Sequence, residues 1–312
     1  MDILIQFCLL TAGFVLLMKG ADWFVDGASG IADRLGIPQL VIGLTIVAMG
    51  TSLPEAAVSI AAAAKGSAEI TIGNVVGSNI LNVLIILGIT ALIKAIPVQE
   101  STVRYEIPFT IFATVLLAGL GLWDHVVGCV DGAILWVFMI LYLLYLLWMT
   151  KRGKTVQEEE EGRRKPIWLL LLMVVAGGAM IVFGSDVTVD AATAIAKHFG
   201  MSERFIGLTI VALGTSLPEL VTSVTAAIKG KTDIAVGNIV GSNIFNILFV
   251  VGTAALITPV TYAAGFLVDS LVAIAAMALL FLCVLKNHRL GRGAGIGMLV
   301  GYVGYFAYLV LG

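Results

Sequence analysis

Two glutamates stand in the middle of long apolar stretches of the sequence. Glu55 and Glu219 each close the same hexapeptide, GTSLPE. If these stretches cross a membrane, a charged carboxylate at that depth costs about 2.5–3.5 kcal/mol, and no Lys or Arg lies at comparable depth to pair with it. A bound cation is therefore the expected partner. The alternative is a structural network in which each glutamate is protonated or satisfied by a neighbouring helix.

Backbone oxygens near the glutamates are further candidate ligands. Pro54 and Pro218 lack the N–H that would bond the carbonyl four residues earlier, at Gly50 and Gly214, so each hexapeptide leaves carbonyl oxygens free. Irregular backbone at membrane depth is tolerated where it faces protein or a watery cavity. Thr51 and Glu55 are four residues apart, so we expect them to share a helix face, as we do for Thr215 and Glu219. The expected carbonyl ligands are those of Ala48, Thr51, Ala212 and Thr215.

A polar stripe follows in the next apolar stretch of each copy. Asparagine, serine and asparagine recur at spacing four, so the three side chains share one helix face. The two stripes are Asn74, Ser78, Asn82 and Asn238, Ser242, Asn246. Ser and Asn also bridge packed helices, and this alternative is stronger for the first asparagine of each stripe. The other four side chains add neutral oxygens beside the carboxylates, and an all-oxygen set suits calcium, whereas soft metals prefer His or Cys.

These groups are duplicated because the sequence contains an internal repeat. Residues 43–93 match residues 207–257 without a gap at about 31 of 51 positions, and such a match indicates two copies of one structural unit. At the same offset of 164, Asp22 and Asp26 correspond to Asp186 and Asp190. These aspartates either attract cations to the entry paths or have ordinary helix-end or packing roles. The predicted organisation is a first repeat over 1–150, a charged linker over 151–165 and a second repeat over 166–312.

The composition predicts the elements that position these groups. Hydrophobic residues make up 60% of the 312 positions and charged residues only 12%, so the solvent of most of the surface must be lipid. A spanning helix needs about 20 mostly apolar residues. Ten runs reach that length: 3–33, 38–64, 70–93, 103–122, 127–150, 167–197, 202–228, 234–257, 263–285 and 294–311.

The predicted fold class is an all-α polytopic membrane protein with ten transmembrane helices. Each repeat then has five helices. Because five is odd, the second copy enters the membrane from the opposite side, which gives two inverted five-helix repeats with a substrate site near the midplane.

The basic residues predict the orientation. If the N-terminus lies outside and ten helices follow, the outer connections hold only Lys65, Lys197 and Arg204. The inner connections then hold all the other Lys and Arg except Lys19, which lies within the first helix. This asymmetry follows the positive-inside rule for short loops. It predicts that both termini lie outside and that the 151–165 linker is cytoplasmic. The expected location is the plasma (inner) membrane.

The paired GTSLPE and GNxVGSNxxN segments resemble the alpha repeats of the calcium/sodium antiporter family, the prokaryotic relatives of the cation/calcium exchangers. The resemblance implies a core of helices two, three, seven and eight, past which helices one and six slide, and one cluster of sites for which sodium and calcium compete. The ligands that it implies are two carboxylates, four backbone oxygens and six side chains. They belong to Glu55 and Glu219, to Ala48, Thr51, Ala212 and Thr215, and to Ser52, Ser216, Ser78, Ser242, Asn82 and Asn246.

One departure from that family concerns the charge of the site. Some members carry aspartate at the position of Asn82 or Asn246, and potassium-dependent members do so at the latter, whereas this chain has asparagine at both. We therefore expect no potassium dependence and a site charge of about −2 when both glutamates are ionised.

The expected function is exchange of sodium for calcium by alternating access, with no enzyme activity, no cofactor and no nucleic-acid partner. The two ions and the lipid bilayer are the expected partners. A calcium/proton exchanger is the first alternative, because a buried glutamate also binds protons. An intramembrane hydrolase with Ser52 and Ser216 as nucleophiles is a third possibility, although no His or Lys lies at their depth to activate them.

Overall fold

The computed structural model describes residues 3–65, 69–152, 165–200 and 212–311. Twelve helices run through these residues: α1 (Ile3–Leu35), α2 (Gln39–Thr51), α3 (Leu53–Ala64), α4 (69–93), α5 (Thr102–Asp124), α6 (Cys129–Arg152), α7 (Ile167–His198), α8 (Ala212–Thr215), α9 (Leu217–Ile228), α10 (Thr232–Ile257), α11 (Gly265–Leu285) and α12 (Arg292–Leu311). Four helices contain wider, π-helical turns, at Gly43–Val47, Asn82–Leu87, Thr102–Glu106 and Asn246–Val251.

Most of these helices have the length and composition of membrane spans. Within the described residues, eight are long and apolar enough to cross a bilayer, and there are nine candidate spans if α2 and α3 count as one bent span. The chain is thus a predominantly helical polytopic membrane protein, as predicted. The count of ten stays a prediction, because the run at 202–228 begins within residues 201–211, which lie outside the described residues.

Two short antiparallel strand pairs join helix connections in the described part of the chain. Strand β1 (Ile96–Pro97) pairs with β4 (Arg289–Leu290), and β2 (Val126–Val127) pairs with β3 (Val260–Thr261). The strands have only two residues each, too short for an apolar pattern to reveal them. Each pair links a connection of the first half of the chain to one of the second half.

The core lies around α4 and α10. In α10, 94% of the most apolar stretch is buried inside the protein, against 11% for α12 at the periphery. Helix α2 packs closely against α10 through glycine, since a Cβ on Gly237 would come within 3.0 Å of the Cα of Gly43. Small residues at this crossing let the two backbones approach, as is usual where helices pack in a membrane.

Helices α1 and α7 form a second, antiparallel pair along a seam of glycines. A Cβ on Gly13 would come within 3.0 Å of the Gly184 carbonyl oxygen, and one on Gly20 within 2.9 Å of the Gly177 carbonyl oxygen. The glycines of each helix are seven residues apart and so lie on one face. The offset of 164 converts one contact into the other, because Gly13 corresponds to Gly177 and Gly20 corresponds to Gly184.

Candidate ion-binding site

The chain breaks its helix in the middle of each GTSLPE segment. Ser52 has φ −86° and ψ 7°, and Ser216 has φ −92° and ψ 4°. Helix α2 ends before Ser52, and α3 leaves at 51° to it. Proline follows at the start of the new helix, where its missing N–H costs nothing. The expectation that Thr51 and Glu55 share one helix face is therefore wrong, because the two residues lie on different helices.

The break places each glutamate in the first turn of a new helix, inside the protein. Glu55 and Glu219 are both 1% exposed, and the N-terminus of a helix favours negative charge. Ser52 Oγ donates a hydrogen bond to Glu219 Oε1 at 2.8 Å, so the two GTSLPE segments are in direct contact.

The carbonyl oxygen of Ala48 lies in the same polar cluster. Thr51 Oγ1 donates towards it at 3.3 Å and towards Asn238 Oδ1 at 3.0 Å. Ser242 Oγ from α10 donates to the same carbonyl oxygen at 3.4 Å. Side chains of both repeats thus converge on one backbone oxygen of α2.

Four asparagines tie α4 to α10 beside the glutamates. The Nδ2 of Asn79 donates to the carbonyl oxygen of Asn243 at 3.1 Å, and the Nδ2 of Asn243 donates to that of Asn79 at 3.3 Å. Asn82 Nδ2 donates to Asn243 Oδ1 at 2.9 Å, and Asn246 Nδ2 donates to Asn79 Oδ1 at 3.2 Å. These bonds occupy the NH₂ groups of Asn82 and Asn246 and leave their amide oxygens available. Both residues begin a π-helical turn, a feature frequent at functional sites.

Five buried oxygens of the predicted ligands have no hydrogen-bond partner within the described residues. They are Glu55 Oε2, Glu219 Oε2, Asn82 Oδ1, Asn246 Oδ1 and Ser216 Oγ. A buried polar atom without a partner is costly, and here several are gathered in one region with two carboxylates among them. Such a set of hard oxygens has the chemistry that binds calcium.

Ser78, Thr215 and Ala212 stay predicted ligands. Ser78 is buried on α4, but no hydrogen bond within the described residues links its hydroxyl to another predicted ligand. Thr215 is only partly buried, unlike Thr51 at 1% exposed. Ala212 is the first described residue after 201–211, so its carbonyl stays a predicted ligand.

The first asparagine of each stripe has a packing role. Asn74 Nδ2 donates to Ser59 Oγ and Asn238 Nδ2 donates to Ser223 Oγ, both at 2.9 Å, which ties α4 to α3 and α10 to α9. The two serines were not predicted from the sequence, and neither were Asn79 and Asn243. All four are matched between the repeats, and that duplication was the signal that could have found them.

The chain is similar to known transporters both in sequence and in structure. The sequence matches the family model described as sodium/calcium exchanger protein over residues 5–151 and 169–311. It is 42% identical to CaxA, a provisionally named antiporter of Alkalimonas amylolytica, over 94% of this chain and 95% of that protein. It is 36% identical to the inner membrane protein YrbG of Escherichia coli over 98% of this chain and 97% of that protein. A solved structure of the sodium-calcium exchanger NCX_Mj superposes with a TM-score of 0.85 at 31% identity, over 99% of this chain and 100% of that one.

Proposed function

Because the chain belongs to the sodium/calcium exchanger family, which consists of transporters, we propose that it exchanges sodium for calcium across the membrane by alternating access. The observation that carries the proposal is the set of buried oxygens without partners around Glu55 and Glu219. A cation in that cluster would satisfy oxygens that the protein itself leaves unpaired.

The proposed ligands combine charge with neutral oxygens. The carboxylates bind the ions directly, the carbonyl oxygens and amide oxygens complete the coordination, and the serine and threonine hydroxyls bind or orient the carboxylates. The full proposed set is Glu55, Glu219, Ala48, Thr51, Ala212, Thr215, Ser52, Ser216, Ser78, Ser242, Asn82 and Asn246. The bond from Ser52 to Glu219 and the convergence on Ala48 support an arrangement to which both repeats contribute.

The charge of the site explains why transport would be coupled. Two ionised carboxylates are neutralised by one calcium ion or by two sodium ions, so the filled site crosses the membrane at low cost and the empty site at high cost. A return without cargo is thereby disfavoured. Loading of more than two sodium ions would add net charge to the sodium step and make it sensitive to the membrane potential.

We further propose that residues 1–150 and 166–312 are two inverted five-helix repeats. Several contacts between the two halves occur in equivalent pairs, in which each residue is replaced by its counterpart 164 positions away. The glycine contacts of α1 with α7 and the two bonds between Asn79 and Asn243 are examples, and they support a two-fold axis that relates the two halves. Alternating access then follows when α1 and α7 slide along the core that holds the ions. The glycine seam fits this motion, because it presents few side chains that would interlock.

The proposed orientation has both termini outside and the 151–165 linker in the cytoplasm, since the basic residues cluster on one side of the membrane. The plasma (inner) membrane is the proposed location. The name of the Escherichia coli relative supports it.

The deciding experiment is calcium uptake into proteoliposomes that contain the purified protein. An outward sodium gradient should drive uptake, and a proton gradient of the same size without sodium should not. Uptake driven by protons and indifferent to sodium would establish the calcium/proton exchanger instead. No uptake in either arm would reject calcium antiport by this chain.

A further inference from the structure

Lys229 holds two aspartates of α1 at one end of the ion site. Its Nζ lies 2.7 Å from Asp26 Oδ1 and 3.2 Å from Asp22 Oδ1, and it also donates to the backbone carbonyl oxygen of Asp22 at 3.0 Å. Lys229 follows the last residue of α9, the helix that begins next to Ser216 and carries Glu219. The ion pair therefore fastens the long peripheral helix α1 to an ion-site helix.

Packing agrees with this attachment. Leu217 and Val221 of α9 pack against an apolar cluster that includes Ala21 and Val25 of α1. The next residue of α9, Thr222, is 0% exposed. Helix α1 thus covers α9 between the ion site and Lys229.

The repeat mates of these residues are not joined. At the offset of 164, Lys229 matches Lys65, and Asp22 and Asp26 match Asp186 and Asp190. All three mates lie within the described residues, yet among those residues no ion pair or hydrogen bond joins Lys65 to either aspartate. The two halves of the chain therefore carry the same three charges and use them differently.

The packing differs in the same way. Val58 of α3 is 47% exposed, whereas its mate Thr222 is fully buried. Leu53 is 57% exposed, whereas its mate Leu217 packs against the α1 cluster. In the described residues, α7 has few contacts with α3, although α1 packs well against α9. Within the described residues, α1 therefore covers α9, whereas α7 leaves the equivalent residues of α3 exposed.

We propose that two ion-pair latches close alternately during exchange: the Lys229 latch, formed by Lys229 with Asp22 and Asp26, and the Lys65 latch, formed by Lys65 with Asp186 and Asp190. Among the described residues, the ion pairs of the Lys229 latch are formed and those of the Lys65 latch are not. When α1 and α7 slide together along the core, α1 leaves Lys229 and α7 brings its aspartates to Lys65. The inference rests on the proposed alternating access and adds the residues that hold each end shut.

Two latches of equal chemistry keep the two states close in energy. The free energy lost when one set of ion pairs opens is offset when the other set forms, so neither conformation is strongly favoured. The bound ions then determine which conformation is populated. The side chains of the Lys229 latch are 26%, 43% and 48% exposed, and partly exposed pairs of this kind are individually weak. Loss of one latch should therefore shift the populations by roughly two- to tenfold rather than stop transport.

Cross-linking tests the open latch directly. In a protein with its three native cysteines replaced by alanine, Lys65→Cys and Asp190→Cys should be joined by a short bifunctional thiol reagent during exchange, and the cross-link should stop transport. Adding Lys229→Gln should raise the rate of cross-linking by roughly two- to tenfold, because the competing state loses its latch. The matched control is Lys231→Gln, which removes the same charge two residues away, where no side-chain ion pair occurs within the described residues.

A charge swap separates a latch from a folding defect. Lys229→Asp alone should raise the cross-linking rate, and Lys229→Asp with Asp26→Lys should return it towards the parent rate. The inference is overturned if cysteines at 65 and 190 never cross-link in protein that exchanges calcium, if Lys231→Gln accelerates the reaction as much as Lys229→Gln, or if the swap does not restore the rate. Parent protein without sodium-driven calcium uptake would instead reject the proposed function, which is a different result.

Discussion

Replacement of Glu219 by glutamine removes one of the two charges of the proposed site and little else. The glutamine side chain has nearly the same shape, and its amide oxygen still accepts the hydrogen bond that Ser52 Oγ makes to Glu219 Oε1 at 2.8 Å. The second carboxylate oxygen, which has no partner within the described residues, becomes a neutral NH₂ group. Because no new buried charge is created, we expect the variant to fold.

The magnitude follows from burial. Glu219 is 1% exposed, so its charge is poorly screened by water. Removing one partner of a buried, compensated charge pair costs about 3–5 kcal/mol. For a bound calcium ion, that cost corresponds to an affinity lower by roughly two to four orders of magnitude. The equivalent substitution in the first repeat, Glu55→Gln, should lower the calcium affinity by a similar factor.

Calcium binding to purified protein, measured by titration calorimetry, gives the affinity. Glu106→Gln is the matched control: Glu106 is also 1% exposed, but it lies on α5, where it accepts a hydrogen bond from Tyr145. We expect the control to bind calcium as the parent does. A shared ion site would be refuted if Glu219→Gln bound calcium within threefold of the parent, or if Glu106→Gln lost as much affinity.

Three further predictions concern the charge of the site, the glycine seam and the orientation. Asn246→Asp adds a third carboxylate, so calcium flux should come to depend on an additional cation, potassium or protons, when it is measured across gradients of each; flux unchanged in all gradients would contradict this. Gly20→Ala places a Cβ 2.9 Å from the Gly177 carbonyl oxygen. The free energy of unfolding should therefore fall by about 1–3 kcal/mol, which lowers the midpoint of thermal unfolding measured in detergent. Gly119→Ala, with nothing within 4 Å of its Cβ, should not lower it. A cysteine at Thr155 should resist an impermeant thiol reagent added outside intact cells, and rapid labelling there would reverse the proposed orientation.

Much of the site could be predicted from the duplicated segments. A carboxylate in an apolar run is conspicuous because lipid offers it no partner, and its recurrence in a second run predicts that Glu55 and Glu219 act together in one site. The helical architecture was equally accessible, because continuous apolar runs of about 20 residues are typical of membrane-spanning helices.

The local geometry was less accessible. Proline in the GTSLPE segment predicted free carbonyl oxygens, but the bend lies at Ser52, two residues earlier, because proline is accommodated in the first turn of the helix that follows. Spacing along an assumed continuous helix then put Thr51 and Glu55 on one face. Periodicity describes a helix and carries no information on where that helix is interrupted.

Contacts between the repeats were not predictable from spacing at all. Asn79 and Asn243 lie inside the duplicated GNxVGSNxxN segments, but only the approach of α4 to α10 shows that they bond to Asn82 and Asn246. The strand pairs, with two residues in each strand, also depend on a tertiary approach of distant connections. Such features follow from the fold and not from a local pattern.

The central claim is that sodium and calcium compete for one cluster between Glu55 and Glu219, and crystals soaked in strontium test it most directly. Strontium replaces calcium and is located by its anomalous scattering. We expect one strong peak within coordination distance of carboxylate oxygens of both glutamates, and we expect it to weaken as sodium is added to the soak. A peak that lies away from the two glutamates, or one that sodium does not displace, would contradict the account.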